Sequence, residues 1–144
     1  MKKILNLSFY KQKGFYVSLA SIILLLVANV CYLTGFTGLL LEYNDSNVML
    51  ISVIGILAFF VLLLLKYTSN YSPIVLWMVN VIAFLSFILN IYMYFTGVFY
   101  NGLTAEAFGL IEPIVLVALV LFLSSMIVSN VSMYMNHIAI KKGE

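Results

Sequence analysis

Four stretches of this chain, 15–33, 48–65, 73–95 and 113–135, are almost unbroken runs of apolar residues with no ionisable side chain in their central two-thirds. Nothing else in the sequence constrains the fold as much. Crossing the hydrocarbon core of a bilayer, about 30 Å thick, takes roughly 20 apolar residues in a helix, and each stretch meets that requirement. The composition agrees: 65% of residues are hydrophobic, 8% are charged and the mean hydropathy is +1.16, against about 25% charged in soluble domains. A closed β-barrel is the only other structure that satisfies every backbone N–H and C=O in lipid. Its strands would alternate polar and apolar residues, and runs such as "SIILLLV" and "FFVLLLLK" do not. The expected fold is therefore all-α, an integral membrane four-helix bundle with up-down-up-down topology. The connections leave no room for a separate soluble domain, so residues 1–144 form a single membrane domain.

Charge placement supplies an orientation. All seven basic residues are lysines: Lys2, Lys3, Lys11 and Lys13 precede the first span, Lys66 follows the second, and Lys141 and Lys142 follow the fourth. Lysines near span ends are retained on the cytoplasmic side, which puts both termini and the middle connection inside, in a multi-pass protein of the inner (cytoplasmic) cell membrane. The carboxylates mostly take the other side, with Glu42 and Asp45 after span one and Glu106 and Glu112 after span three. Tyrosines and other aromatics gather near both boundaries, as amphipathic rings do at headgroup level. Residues 1–13 form a basic amphipathic segment, suited either to lie in the interface as a short helix against anionic lipid or simply to carry topogenic lysines. The first apolar run is longer than a signal-peptide core and has no small-x-small cleavage site after it, so it is expected to be retained. Cys31 is the single cysteine and permits no intrachain disulfide.

Helices in lipid associate through small residues and interhelical hydrogen bonds rather than through hydrophobicity. At 100° per residue, Gly14, Ser18, Ser21, Ala28, Asn29 and Tyr32 share one side of span one. In span three that side carries Asn80, Ala83, Ser86, Asn90, Tyr94 and Gly97. Span four has a narrower stripe of Ala118, Ser125, Ser129, Ser132 and Asn136, and span two offers Ser52 and Gly55. Asn29, Asn80, Ser86, Asn90, Ser125, Ser129 and Asn130 are thus candidates for interhelical bonding, or alternatively for lining a polar path. The first use is the expected one, typically worth about 0.6 kcal/mol per bond. Glu106 and Glu112 are candidate acidic residues of the outer rim. Glu112 also precedes Pro113, which suits the first position of a helix, and a carboxylate there is favoured by the helix dipole.

One short pattern occurs twice: Tyr32-Leu33-Thr34-Gly35 and Tyr94-Phe95-Thr96-Gly97, each at the end of an outward-running span. Aligning the two relates the two hairpins, but the remaining matches are scattered apolar residues. Local physics accounts for the pattern: a tyrosine at headgroup level, a threonine at the exit, and a glycine free to end the helix in the left-handed conformation.

Several chemistries lack their residues. There is one histidine, His137, so bis-histidine haem ligation and the HExxH zinc motif fail. Paired cysteines for disulfide exchange are missing, and no arginine is available to clamp phosphate. No ionisable group sits at membrane depth, where proton-coupled carriers keep one. Neither a basic patch nor a nucleic-acid-binding motif is present. No catalytic or metal-binding residue and no cofactor is expected. In size, lysine-rich start and hydropathy the whole chain resembles small four-span bacterial inner-membrane proteins, and no motif in that resemblance carries functional residues over. The expected function is that of a non-enzymatic accessory or small subunit packing against other membrane proteins. The alternative is an oligomeric channel or carrier for a small neutral or weakly charged solute. The partners implied are the lipid bilayer and either other membrane subunits or further copies of this chain.

Overall fold

A computed structural model describes residues 4–5 and 8–135. Asn136, His137 and the lysines at positions 2, 3, 141 and 142 lie outside the described residues. Four long helices carry the apolar runs: α1 (Lys13–Gly35), α2 (Asn47–Leu64), α3 (Ser72–Val98) and α5 (Pro113–Met133), with a short α4 (Ala105–Gly109) ahead of α5. All four are long and apolar enough to cross a membrane, the architecture of a multi-pass membrane protein. Among the described residues there is no strand, only an isolated antiparallel bridge between Leu5 and Leu65.

The helix starts follow from local chemistry. Pro73 and Pro113 sit in the first turns of α3 and α5, where a missing N–H leaves no bond unmade. Thr104 caps α4, its side chain accepting from the Ala107 N–H at 3.1 Å, as N-cap threonines do. The helix ends differ from the sequence reading. Neither Gly35 nor Gly97 has a positive φ; among the described residues the left-handed glycines are Gly38 (φ 60°) and Gly102 (φ 100°). Gly35 stays helical and is where α5 comes close: a Cβ there would lie 2.5 Å from Ile114 Cγ1. The chain therefore turns only after Phe36 and an extended Thr37. Helix α3 runs through Gly97 to Val98 and turns at Gly102.

Residue pairs along the interfaces fix relative directions. Ser18 meets Ser132, Ser21 meets Ser125 and Gly35 meets Ile114, so α1 and α5 are antiparallel. Asn80 reaches Ser125 and Tyr94 reaches Glu112, so α3 also opposes α5. Gly55 lies against Val79, and a Cβ on it would be 2.3 Å from both valine methyl carbons. That contact brings α2 and α3 together at backbone distance, the use of glycine typical of helix pairs in lipid. Helix α1 packs mainly along α5, α3 joins α5 to α2, and α1 meets α2 only lightly.

The bundle thus has a lysine end and a carboxylate end. At the lysine end the Lys66 N–H donates to the Ile4 carbonyl at 2.8 Å, and Phe9 and Phe15 pack beside Ile22, Phe59, Leu63 and Leu76. The described part of the N-terminal segment forms a single 3-10 turn, Phe9–Lys11, rather than a longer helix. Towards the carboxylate end the core is aromatic: Phe87 stacks on Phe122 at 4.8 Å, and Tyr32 meets Phe87 edge-on at 5.2 Å. The outward faces are aliphatic, with Ile54 65% and Leu89 75% exposed. Water would penalise such faces and hydrocarbon does not.

Candidate functional site

The buried polar residues that bond between the spans are gathered at three levels. Nearest the lysine end, the hydroxyls of Ser18 and Ser132 pair across α1 and α5. One step further, Ser21, Asn80 and Ser125 tie three helices together. Ser21 donates to the Ser125 carbonyl at 3.0 Å. The single Ser125 hydroxyl proton lies within reach of the Ser21 carbonyl at 2.8 Å and of Asn80 Oδ1. Asn80 Nδ2 donates to Leu76 O on its own helix at 2.8 Å and faces Ser21 Oγ at 3.4 Å. Ser129, also buried, bonds back to Met126 O at 2.8 Å.

At the third level Asn29 joins α1 to α2. Its Nδ2 donates to Ser52 Oγ and to Leu25 O, both at 2.9 Å, and Ser52 donates onward to Val48 O at 2.8 Å. Asn29 Oδ1 is buried with no hydrogen-bond partner among the described residues. The side of α1 carrying Gly14, Ser18, Ser21, Ala28, Asn29 and Tyr32 is buried throughout, so the small and polar stripe is used up inside the bundle.

The carboxylate end is closed by Tyr32. Its hydroxyl donates to the Tyr43 carbonyl and accepts the Asp45 N–H at 2.8 Å. Asn90 Nδ2 lies 3.3 Å from the same oxygen and 3.5 Å from Asp45 Oδ2. Asn44 Nδ2 donates back to Leu33 O at 2.9 Å, and Asp45 Oδ1 accepts the Asn47 N–H at 2.9 Å, ordering the start of α2. On the other hairpin, Tyr94 OH accepts the Glu112 N–H at 2.8 Å. Each repeated tyrosine therefore holds the backbone N–H of the acidic residue that introduces the next long helix. Both threonines bond back to a carbonyl four residues earlier, Thr34 to Val30 and Thr96 to Tyr92.

Of the residues singled out from the sequence, Asn29, Asn80 and Ser125 bridge helices, Ser129 is satisfied within α5, and Asn90 belongs to the cap. Ser86 is half-buried on the flank of α3. Asn130 faces outward, half-exposed, in a shallow groove with Trp77, Met126, Ile127 and Val131. Glu106, on α4, and Glu112 are both exposed. The carboxylate that shares a recess with Glu112 is Glu42, not Glu106. Sequence reasoning left Asp45 out of the site, although Tyr32 already stood on the polar side of span one. Among the described residues no group of three or more His, Cys, Asp or Glu is placed to hold a metal ion. Comparison with protein-family models, with curated proteins and with solved structures finds no match.

Proposed function

We propose that this chain is a non-enzymatic protein of the cell membrane, running up-down-up-down with both termini in the cytoplasm, and that it acts as a small accessory subunit packing against other membrane proteins. The lysine distribution supports the orientation, and the contact between Lys66 and Ile4 keeps the N-terminal segment and the α2–α3 connection at one end. The observation that carries the packing role is Asn130. Its half-buried side chain lines a surface groove between α3 and α5, outside the buried network, with Trp77, Met126, Ile127 and Val131. An amide facing lipid gains most from a hydrogen-bonding partner on another helix. The solute-conducting alternative is less well supported, because Asn29 and Asn80 are buried and already bonded between helices within one chain.

Photo-crosslinking in intact membranes tests the packing role. A photoreactive residue at Ile127, beside Asn130, should give a discrete adduct with one other polypeptide, and Asn130→Leu should weaken it. The same probe at Leu57, on the aliphatic face of α2, should not. Lipid adducts alone at both positions, from a chain that stays monomeric, would overturn the reading.

A further inference from the structure

At the carboxylate end a recess of about 350 Å3 opens between the connection after α1, the last turn of α3 and the start of α5. We infer that it is a binding site for an organic ammonium ion carrying an apolar group, held by Glu42 and Glu112 against the rings of Tyr43 and Tyr94, with Gly97 keeping the space open.

Gly97 is the strongest pointer. Its φ is not positive, and a Cβ built on it meets nothing within 4 Å. Neither backbone conformation nor packing calls for glycine, which is a poor choice within a helix. What the missing side chain leaves is open volume, and Gly97 lines the recess. Gly35 in the other copy is the opposite case, with Ile114 filling the place of a side chain.

The walls define the chemistry. Tyr43 and Tyr94 stand edge to face with centroids 5.7 Å apart, and Met93 and Leu110 add apolar surface. Ring faces attract cations, and apolar walls with a few placed polar groups are typical of small-molecule sites. Among the described residues the two carboxylates have no lysine nearby, since Lys11, Lys13 and Lys66 are at the opposite end of the bundle. Glu112 does not cap its own helix with its side chain, which leaves its carboxylate available. The neighbouring Glu42 carboxylate pushes the Tyr43 phenol above its ordinary value of 10.0, and both residues line the recess. A hard metal ion would need more oxygen ligands than two carboxylates supply. An alkylammonium uses carboxylates, rings and apolar wall together. It could arrive free in solution or as the ethanolamine headgroup of a lipid.

The test uses the full chain in uncharged maltoside micelles, titrated with phenethylammonium and, as a neutral counterpart, 2-phenylethanol, with the ring resonances of labelled tyrosines as readout. The ammonium should bind saturably and shift the Tyr43 and Tyr94 signals, and the alcohol should bind at least about tenfold more weakly. Glu42→Gln with Glu112→Gln should cost about tenfold or more in affinity for the ammonium. Gly97→Leu should abolish binding while leaving thermal unfolding at or above that of the parent. Adding phosphatidylethanolamine separates the sources: competition identifies the headgroup, and undiminished ammonium binding identifies a soluble cation. Equal binding of the alcohol, or unchanged ammonium binding in both the double variant and Gly97→Leu, would overturn the proposal. Should Gly97→Leu misfold, Gly97→Ala combined with Glu42→Gln decides the matter by the same readout.

Discussion

The two Tyr-x-Thr-Gly segments end α1 and α3 with the same residues and nearly the same polar bonds, yet they sit in different surroundings. Tyr32 is fully buried, and its hydroxyl ties together Tyr43, Asp45 and Asn90. Tyr94 is only half-buried and holds the single Glu112 N–H. Gly35 is a point of helix contact, whereas Gly97 faces open space. The shared part of the pattern is thus the tyrosine latch onto the next acidic residue. The glycines do different work: one brings α1 and α5 together and the other leaves a recess.

The glycines offer the widest separation between the two copies. Gly35→Ala forces a methyl into Ile114 and should destabilise the bundle by about 1–3 kcal/mol, the range for overpacking. Gly97→Ala meets no atom and should be neutral or stabilising by up to about 1 kcal/mol. Unfolding of each variant in mixed micelles checks both, and equal effects would erase the distinction.

The tyrosines should differ less. Tyr32→Phe leaves the Asp45 N–H and the Tyr43 carbonyl without their partner at a closed site, at a cost of about 1–3 kcal/mol. Tyr94→Phe exposes the Glu112 N–H to water instead and should cost about 0.5–1 kcal/mol. The same unfolding assay, read together with hydrogen exchange at Asp45 and Glu112, would sharpen the comparison. A larger loss for Tyr94→Phe than for Tyr32→Phe would reverse it.

Much of this could be read from the chain, for reasons visible in particular residues. Apolar runs without charge marked the four long helices to within a few residues, because lipid leaves few other ways to satisfy a backbone. Helical periodicity put Ser18, Ser21, Asn29 and Tyr32 on one buried side, because small and polar groups are what hold helices together in hydrocarbon. The connections were harder. Gly35 and Gly97 looked like helix terminators, but both lie within their helices, and the turns fell to Gly38 and Gly102. The pairing of Glu112 with Glu42 rather than Glu106 depends on how two loops fold over each other, and no periodicity encodes that. Asn130 lies only one turn from Met126 and beside Ser129, so its outward direction became clear only once α5 had been seated against α1 and α3.

The central proposal is that the chain crosses the membrane with its carboxylate end outside, and that Asn29, Asn80, Ser21 and Ser125 are closed within the bundle. Labelling with a membrane-impermeant thiol reagent tests both parts in one experiment, with Leu39→Cys, Tyr67→Cys and Asn80→Cys placed singly in a Cys31→Ser background. Leu39 and Tyr67 are exposed in connections at opposite ends of the bundle, and Asn80 is buried. The account predicts labelling of position 39 in intact cells, labelling of position 67 only after permeabilisation, and none at position 80 in either state. External labelling of position 67 would contradict the orientation, and ready labelling of position 80 would contradict the closed interior.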